Sequence, residues 1–240
     1  MQNHPNQPKI PYAPTETELY PETDGKPMAV SDMHRRILTR IIQTLENHFT
    51  QRPEVYVSGD ILMYYVEGQP QKVVAPDALV TFGIGQKSRL TYKVWEEGKV
   101  PDFVMEMSSK STYRNDLGEK MELYASLGIR DYVLYDADGL YLPTPLMGFT
   151  LVNSRYVPIS PNADGGIYSE ALGLEFRLRD MDCGIYDPVS EVWLQTPAEV
   201  AEARAENAEA RAENAEARAE NAEAEAAQLR EQLARLQARS

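Results

Sequence analysis

VPDFVMEMSSKST (Val100–Thr112), YRNDLGEKMELYASLG (Tyr113–Gly128) and IRDYVLYD (Ile129–Asp136) follow one another without interruption. Extended backbone alternates side chains between two faces, so Asp102, Val104, Glu106 and Ser108 share one face and Phe103, Met105 and Met107 the other. The second segment reads as a helix from Arg114 to Leu127, closed by Gly128, with a seam of Tyr113, Leu117, Lys120, Tyr124 and Leu127. An ammonium inside an apolar seam needs an acidic partner, because unpaired burial costs several kcal/mol, roughly. Glu106 on the preceding strand is the nearest candidate. A strand at Tyr132–Tyr135 completes a β-α-β unit, and carboxylates converging with a lysine are the parts of a metal-dependent phosphodiesterase site.

Upstream, Ser31 is placed to cap a helix reaching about Phe49, with Ile37, Leu38, Ile41, Ile42 and Leu45 as its apolar stripe. Strands are expected at Val55–Ser58, Ile61–Val66, Val73–Phe82 and Leu90–Trp95, and downstream at Phe149–Val152, Tyr156–Ile159 and Leu174–Leu178. One helix, a series of strands, then a crossover helix and strand imply an α/β fold with a mixed central sheet flanked by helices.

The 240 residues divide into three by composition. Residues 1–30 carry six prolines and no apolar periodicity and read as a flexible leader; 31–196 hold the folded domain; from Pro197 the chain is an Ala/Glu/Arg/Asn repeat. Cys183 is alone, so no intrachain disulfide forms, and neither a signal peptide nor a bilayer-spanning run is present, which together imply a cytoplasmic protein with no membrane partner. The net charge is -13, of which the tail, with ten acids against six arginines, accounts for -4. An acidic folded region opposes non-specific nucleic-acid binding, which rests on basic surface. His4, His34 and His48 are too scattered for a zinc cluster or a Ser-His-Asp triad, and Gly83-Ile84-Gly85 lacks the rest of a phosphate-binding fingerprint.

The pattern Pro101-Asp102, Glu106, Ser108, Ser111-Thr112, Asp116, Lys120, Tyr124, Gly128, Tyr132 and Asp136 resembles the Uma-two family of restriction endonucleases, a branch of the PD-(D/E)XK nuclease superfamily. The resemblance covers roughly residues 31–196, with Pro76-Asp77, at the centre of an apolar strand, resembling the family's first catalytic aspartate. It implies a restriction-endonuclease-like fold, nucleic acid (DNA expected) as substrate, and Mg²⁺ or Mn²⁺ as cofactor. Asp77 and Glu106 would hold the metal and Lys120 would act on the attacking water. Ser108 stands where the superfamily has its lysine, and the helix lysine of the resembling family corresponds to Lys120. Asp102, Ser108 and Lys110 form a second tier: Asp102 also reads as a structural or supporting group, and Lys110 has the right strand parity but falls beyond the strand's end. Other readings stay open, with Asp77 a plain strand-start residue and Lys120 a lysine that snorkels out from under Tyr113 and Tyr124.

Thr196-Pro197-Ala198-Glu199 is a capping box with proline at the first helical position. The heptad AEARAEN then occurs three times from Ala201 to Asn221 and runs into Leu229, Leu233 and Leu236. With Leu233 at a and Leu229 at d, alanines fill every earlier core position, while Arg204, Arg211 and Arg218 fall at g and Glu209, Glu216 and Glu223 at the following e. These arginines have no glutamate three or four residues away, so a parallel second copy is the expected partner and the chain a homodimer through 197–240. A solvated single helix is the other reading of the tail. Two functions therefore stand side by side: a Mg²⁺-dependent endonuclease, and a non-catalytic nuclease-fold interaction protein assembled through its tail.

Overall fold

The computed structural model describes residues 20–21, 32–179 and 182–237. The proposed cap Ser31, most of the leader, and the side chains of Leu229, Leu233 and Leu236 lie outside the described residues. The chain separates into two compact units, 1–194 and 195–240.

The first unit begins with α1 (Asp32–His48), β1 (Val55–Ser58), β2 (Met63–Tyr64), β3 (Val73–Val74), β4 (Ala78–Phe82), β5 (Tyr92–Lys93) and α2 (Val94–Glu97). It continues with β6 (Phe103–Met107), α3 (Tyr113–Asp116), α4 (Glu119–Leu127), β7 (Asp131–Tyr135), β8 (Leu146–Val152) and β9 (Arg155–Pro158). β10 (Ile167–Ser169), β11 (Leu174–Arg179), β12 (Asp182–Asp187) and β13 (Val192–Trp193) end it. The central sheet has the order β1-β4-β6-β7-β8-β9. Only β6 and β7 run parallel within it, joined by the α3–α4 crossover, as the β-α-β reading requires. The fold is thus α/β with a mixed central sheet. β10-β11-β12-β13 form an antiparallel sheet of their own, and β3-β2-β5 a small mixed one.

Strand parity sorts the two cores. Phe103, Met105 and Met107 join Ile37, Leu38, Ile41 and Leu45 of α1, together with Phe176 and Ile185 of the second sheet. Val104 faces the opposite way, among Leu79, Tyr124, Tyr132 and Leu134. The central sheet is covered on both faces, and every residue of β6 and β7 is buried. Glu106 belongs to the second face and reaches Tyr124 of α4 there.

Three expectations are corrected. The helix expected over Arg114–Leu127 is broken in two at Leu117–Gly118, where Gly118 has φ -120° and ψ -101° and a Cβ would lie 2.9 Å from the Arg114 carbonyl oxygen. The long strand expected over Val73–Phe82 stops at Val74 and resumes at Ala78, because Pro76 has no N–H to give a ladder; Asp77 sits at the mouth of β4, not mid-strand. Leu90–Trp95 yields only two strand residues before α2 begins. β10, β12 and β13 have no counterpart among the expected strands, although β12 is six residues long and pairs with β11.

The two described leader residues are packed. Tyr20 stands edge-on to Tyr64, 5.0 Å between centroids, and its hydroxyl accepts the Gly68 N–H at 2.6 Å; the Tyr64 hydroxyl donates to the Pro21 carbonyl at 2.6 Å.

The second unit is α5 (Pro197–Gln237), 41 residues and about 62 Å at 1.5 Å per residue. Its capping box is formed as read: the Thr196 N–H donates to Glu199 Oε2 at 2.7 Å and the Glu199 N–H to Thr196 Oγ1 at 3.2 Å. Among the described residues no helix is long and apolar enough to cross a membrane.

Candidate active site

The β4–β6 register pairs Ala78 with Met105 and Leu79 with Val104. Extended by one residue, it sets Asp77 opposite Glu106, on the face that Leu79 and Val104 share. Asp77 Oδ2 accepts the Met107 N–H at 2.6 Å, which ties the carboxyl to the end of β6. Glu106, 1 % exposed, has both oxygens engaged: Oε1 accepts the Tyr124 hydroxyl at 2.6 Å and Oε2 lies 2.8 Å from Lys120 Nζ. Lys120 also lies 3.3 Å from Asp116 Oδ1, and Asp116 Oδ2 accepts the Ser108 hydroxyl at 3.0 Å. The Tyr132 hydroxyl donates to the Asp116 carbonyl at 3.0 Å, so α3 is pinned to β7 at the residue that bears the extra acid.

Three carboxyl groups thus meet one ammonium, and the imbalance shows in the proton affinities. Burial, then the charge of Asp77, pushes the Glu106 carboxyl up to about 8, against the pull of Lys120. Burial also raises Asp77, although the Met107 N–H and Lys120 oppose it. For Lys120 burial acts downward, but Glu106 and Asp116 outweigh it and the ammonium is held above its ordinary value. Asp60, exposed at the edge of the cluster, is raised by desolvation and by Asp77. The cluster therefore carries a tightly held lysine charge beside a Glu106 carboxyl raised far enough to keep its proton at neutral pH.

Of the sequence-predicted residues, Asp77, Glu106 and Lys120 come together and Ser108 joins them through Asp116. Asp102 does not: at the opposite end of β6 its Oδ2 accepts the Phe82 N–H and pairs with Lys99 at 2.8 Å, a tie between strands. Lys110 is exposed in the turn after β6, outside the cluster. Asp136 accepts four backbone N–H groups, from Asp138, Gly139, Tyr141 and Leu142, and so builds the β7–β8 loop instead of serving the cluster. Sequence reasoning missed Asp116 as a site member and Tyr124 as the ligand of Glu106. For Tyr124 the signal was available, since it stands four residues after Lys120 on one row of α4; Asp116 lies in α3, before the break at Gly118, and no helical row reaches it.

The chemistry of the cluster suits a hard divalent cation, since every acidic donor is a carboxylate oxygen. Asp116 Oδ1 is buried and accepts no hydrogen bond, its ion-pair partner being the Lys120 ammonium at 3.3 Å. With the Glu106 proton displaced, three carboxylates against one ammonium would leave two negative charges for a dication to balance. Among the described residues no three His, Cys, Asp or Glu side chains are already arranged as a cage. Magnesium does not need one, because it takes one or two carboxylates and completes its shell with water and substrate phosphate.

A family model named Uma2, described as "Putative restriction endonuclease", matches residues 14–181. The match starts inside the leader, where Tyr20 docks, and stops before β12, so it is displaced toward the N-terminus from the 31–196 expected. Among solved structures, the crystal structure of "a putative nuclease belonging to DUF820" from Anabaena variabilis is 13% identical, with a TM-score of 0.45, over 63% of this chain and 81% of that chain. No curated protein matches.

Proposed function

The chain belongs to the Uma2 family, and from that premise we propose that it is a Mg²⁺- or Mn²⁺-dependent endonuclease hydrolysing phosphodiester bonds of nucleic acid, DNA first. The observation that carries the proposal is the buried Glu106 carboxyl held between Tyr124 and Lys120, with Asp77 opposite it across the β4–β6 register. Asp77 and Glu106 are the residues to hold the cation. Bound there, it would neutralise charge developing on the phosphate and lower the pKa of the attacking water. Lys120 keeps its proton, so its part is to orient that water and the phosphate through N–H donors and charge, not to act as a base. Tyr124 fixes the rotamer of Glu106, and Ser108 fixes Asp116 beside the ammonium.

Cleavage of plasmid and single-stranded DNA with and without Mg²⁺, beside a Glu106→Gln control, tests the proposal. Activity that needs the metal and disappears in Glu106→Gln supports it. The non-catalytic reading draws on one observation, that both Glu106 oxygens already have donors, and it requires no cleavage with any divalent cation.

The raised Glu106 carboxyl gives a readout independent of turnover. A cation binding there must displace the proton, so affinity for Mn²⁺ should climb with pH up to about 8 and flatten above it, with roughly one proton released per ion near neutrality. Titration calorimetry in two buffers of different ionisation enthalpy measures the release. Buffer-independent heats would show that no proton is displaced, and Glu106→Gln should abolish the dependence.

We also propose that α5 pairs in parallel with a second copy. Among the described residues Arg204, Arg211 and Arg218 form no ion pair, and Asn207 and Asn214 are satisfied within the helix, each donating to the carbonyl four residues back at 2.7 Å. The parallel g-to-e register supplies the missing glutamates. Alanine cores bury little, so pairing should be weak and salt-sensitive. Sedimentation at tens of micromolar protein in low salt should give a dimer mass for the full chain and a monomer mass for residues 1–195, about a twofold difference after allowing for the tail. A monomeric full chain would leave α5 a solvated single helix.

A further inference from the structure

We infer that the Tyr113–Tyr141 ring pair, with Leu140 beside it, is a stacking platform for unpaired nucleobases next to the acid–lysine cluster, so that the site takes single-stranded nucleic acid in preference to continuous duplex. This rests on the endonuclease reading for the identity of the polymer and adds its strandedness.

The placement follows from the parallel strand pair of the central sheet. β6 and β7 end side by side, Met107 opposite Tyr135, and the Ser108 N–H donates to the Tyr135 carbonyl at 2.7 Å. Glu106 and Ser108 therefore leave β6 at the edge where the β7–β8 loop leaves β7. That loop is rigid for its length, because Asp136 takes four of its N–H groups, two on each carboxylate oxygen, at 2.5 to 3.1 Å. The rigidity is spent on presenting apolar surface to water: Leu140 is 75% exposed and Tyr141 half-buried. Tyr141 stacks on Tyr113 with centroids 5.8 Å apart and planes at 29°. Tyr113 in turn is three residues before Asp116 in α3, and the Arg114 guanidinium lies 5.5 Å from its centroid while donating to its hydroxyl at 2.9 Å. The loop and α3 thus form one aromatic rim beside the cluster, with exposed Lys110 and Arg114 on the α3 side.

Charge cannot be the main source of affinity in a chain of net charge -13. Stacking can, since each base on an aromatic ring is worth about 1–3 kcal/mol and every base has a face to offer. Bases inside a duplex are stacked on one another and unavailable, which is why a rigid aromatic and apolar rim selects unpaired strands.

The test is fluorescence anisotropy on the full chain in EDTA, where metal-dependent cleavage is silent, with a labelled mixed-sequence DNA of about 16 nucleotides offered single-stranded and as duplex. The single strand is expected to bind at least about tenfold tighter, with weak salt dependence. Tyr141→Leu should lose about tenfold on the single strand, and Tyr141→Phe should keep it, as stacking and not the hydroxyl is at work. Leu140→Ser, at a position 75% exposed, should lose a smaller factor and remains informative if Tyr141→Leu melts early. Tighter duplex binding, undetectable single-strand binding, or unchanged binding in Leu140→Ser and a folded Tyr141→Leu would each overturn the inference. Metal-dependent cleavage by the unaltered chain is measured separately. Binding that follows the rim in a chain that cleaves nothing would sink the nuclease reading alone; cleavage with binding indifferent to the rim would sink the platform alone.

Discussion

Lys120→Met is expected to reduce metal-dependent cleavage by at least about a hundredfold, the scale for removing one preorganised donor at a reacting centre, and to destabilise the fold in a pH-dependent way. Among the described residues the Lys120 ammonium is the positive charge paired with Glu106 and Asp116, at 2.8 and 3.3 Å. Removing one partner of a buried pair leaves the other uncompensated and typically costs about 3–5 kcal/mol. The sign with pH follows from Glu106, whose folded value, about 8, lies above its unfolded one. Its protonated form favours the fold, so that contribution is complete below the ordinary carboxylate range and is lost as pH rises through about 8. Without Lys120, whose charge opposes the rise, Glu106 must hold its proton still more tightly. The variant should melt close to the unaltered chain near pH 5, where Glu106 is protonated in both, and fall progressively behind it toward pH 9. Lys120→Met combined with Glu106→Gln should recover most of the stability and none of the cleavage. Equal melting of Lys120→Met and the unaltered chain at pH 8, or a double variant no better than the single, would mean that the pair does not carry this energy.

Much of this cluster was legible because two periodicities intersect in it. The strand period puts Glu106 on the face of Val104, and the helix period puts Lys120 in a row with Tyr124, so an acid and a base were bound to meet wherever a helix crosses over a strand of its own β-α-β unit. Asp116 was harder to read because the seam passed through Leu117, and the break at Gly118 that lets Asp116 turn inward is a backbone event with no apolar signature. Asp77 was found in the right place for a partly wrong reason: it opposes Glu106 as an antiparallel neighbour should, but it stands before β4, after a proline that ends one ladder and precedes the next. The structural role of Asp136 was invisible for a different cause. An aspartate that collects four N–H groups from its own loop looks, in sequence, like any acid at a strand end. The four-stranded sheet β10–β13 is a meander of consecutive antiparallel strands, and its outer members, β10 and β13, are only three and two residues long, too short to carry an alternation of their own.

Gly59→Ala should be nearly as damaging as the loss of a site residue, although Gly59 has no side chain to take part in anything. An added Cβ there would lie 2.1 Å from the Asp77 carbonyl oxygen and 2.5 Å from Ile42 Cδ1. The isoleucine methyl can turn away, but the carbonyl belongs to the backbone that carries the Asp77 carboxyl. Relief must come from separating the 59–60 turn from the 76–77 segment, which the Asp60 N–H and the Pro76 carbonyl hold together at 2.9 Å. Reaching ordinary van der Waals distance, 3.4 Å, takes about 1.3 Å of movement, and even about 1 Å in a positioned group can cost about a hundredfold in rate. The overpacking itself should cost about 1–3 kcal/mol. Both losses should appear together, and Mn²⁺ affinity should fall with them, since Asp77 loses its register against Glu106 before the rest of the fold is disturbed. Gly83→Ala is the matched control: nothing lies within 4 Å of its Cβ, and its φ of +86° exacts only a local conformational cost of about 1 kcal/mol. If Gly59→Ala cleaves and binds Mn²⁺ like Gly83→Ala, the turn yields without moving Asp77, and Asp77 is not a ligand whose position matters.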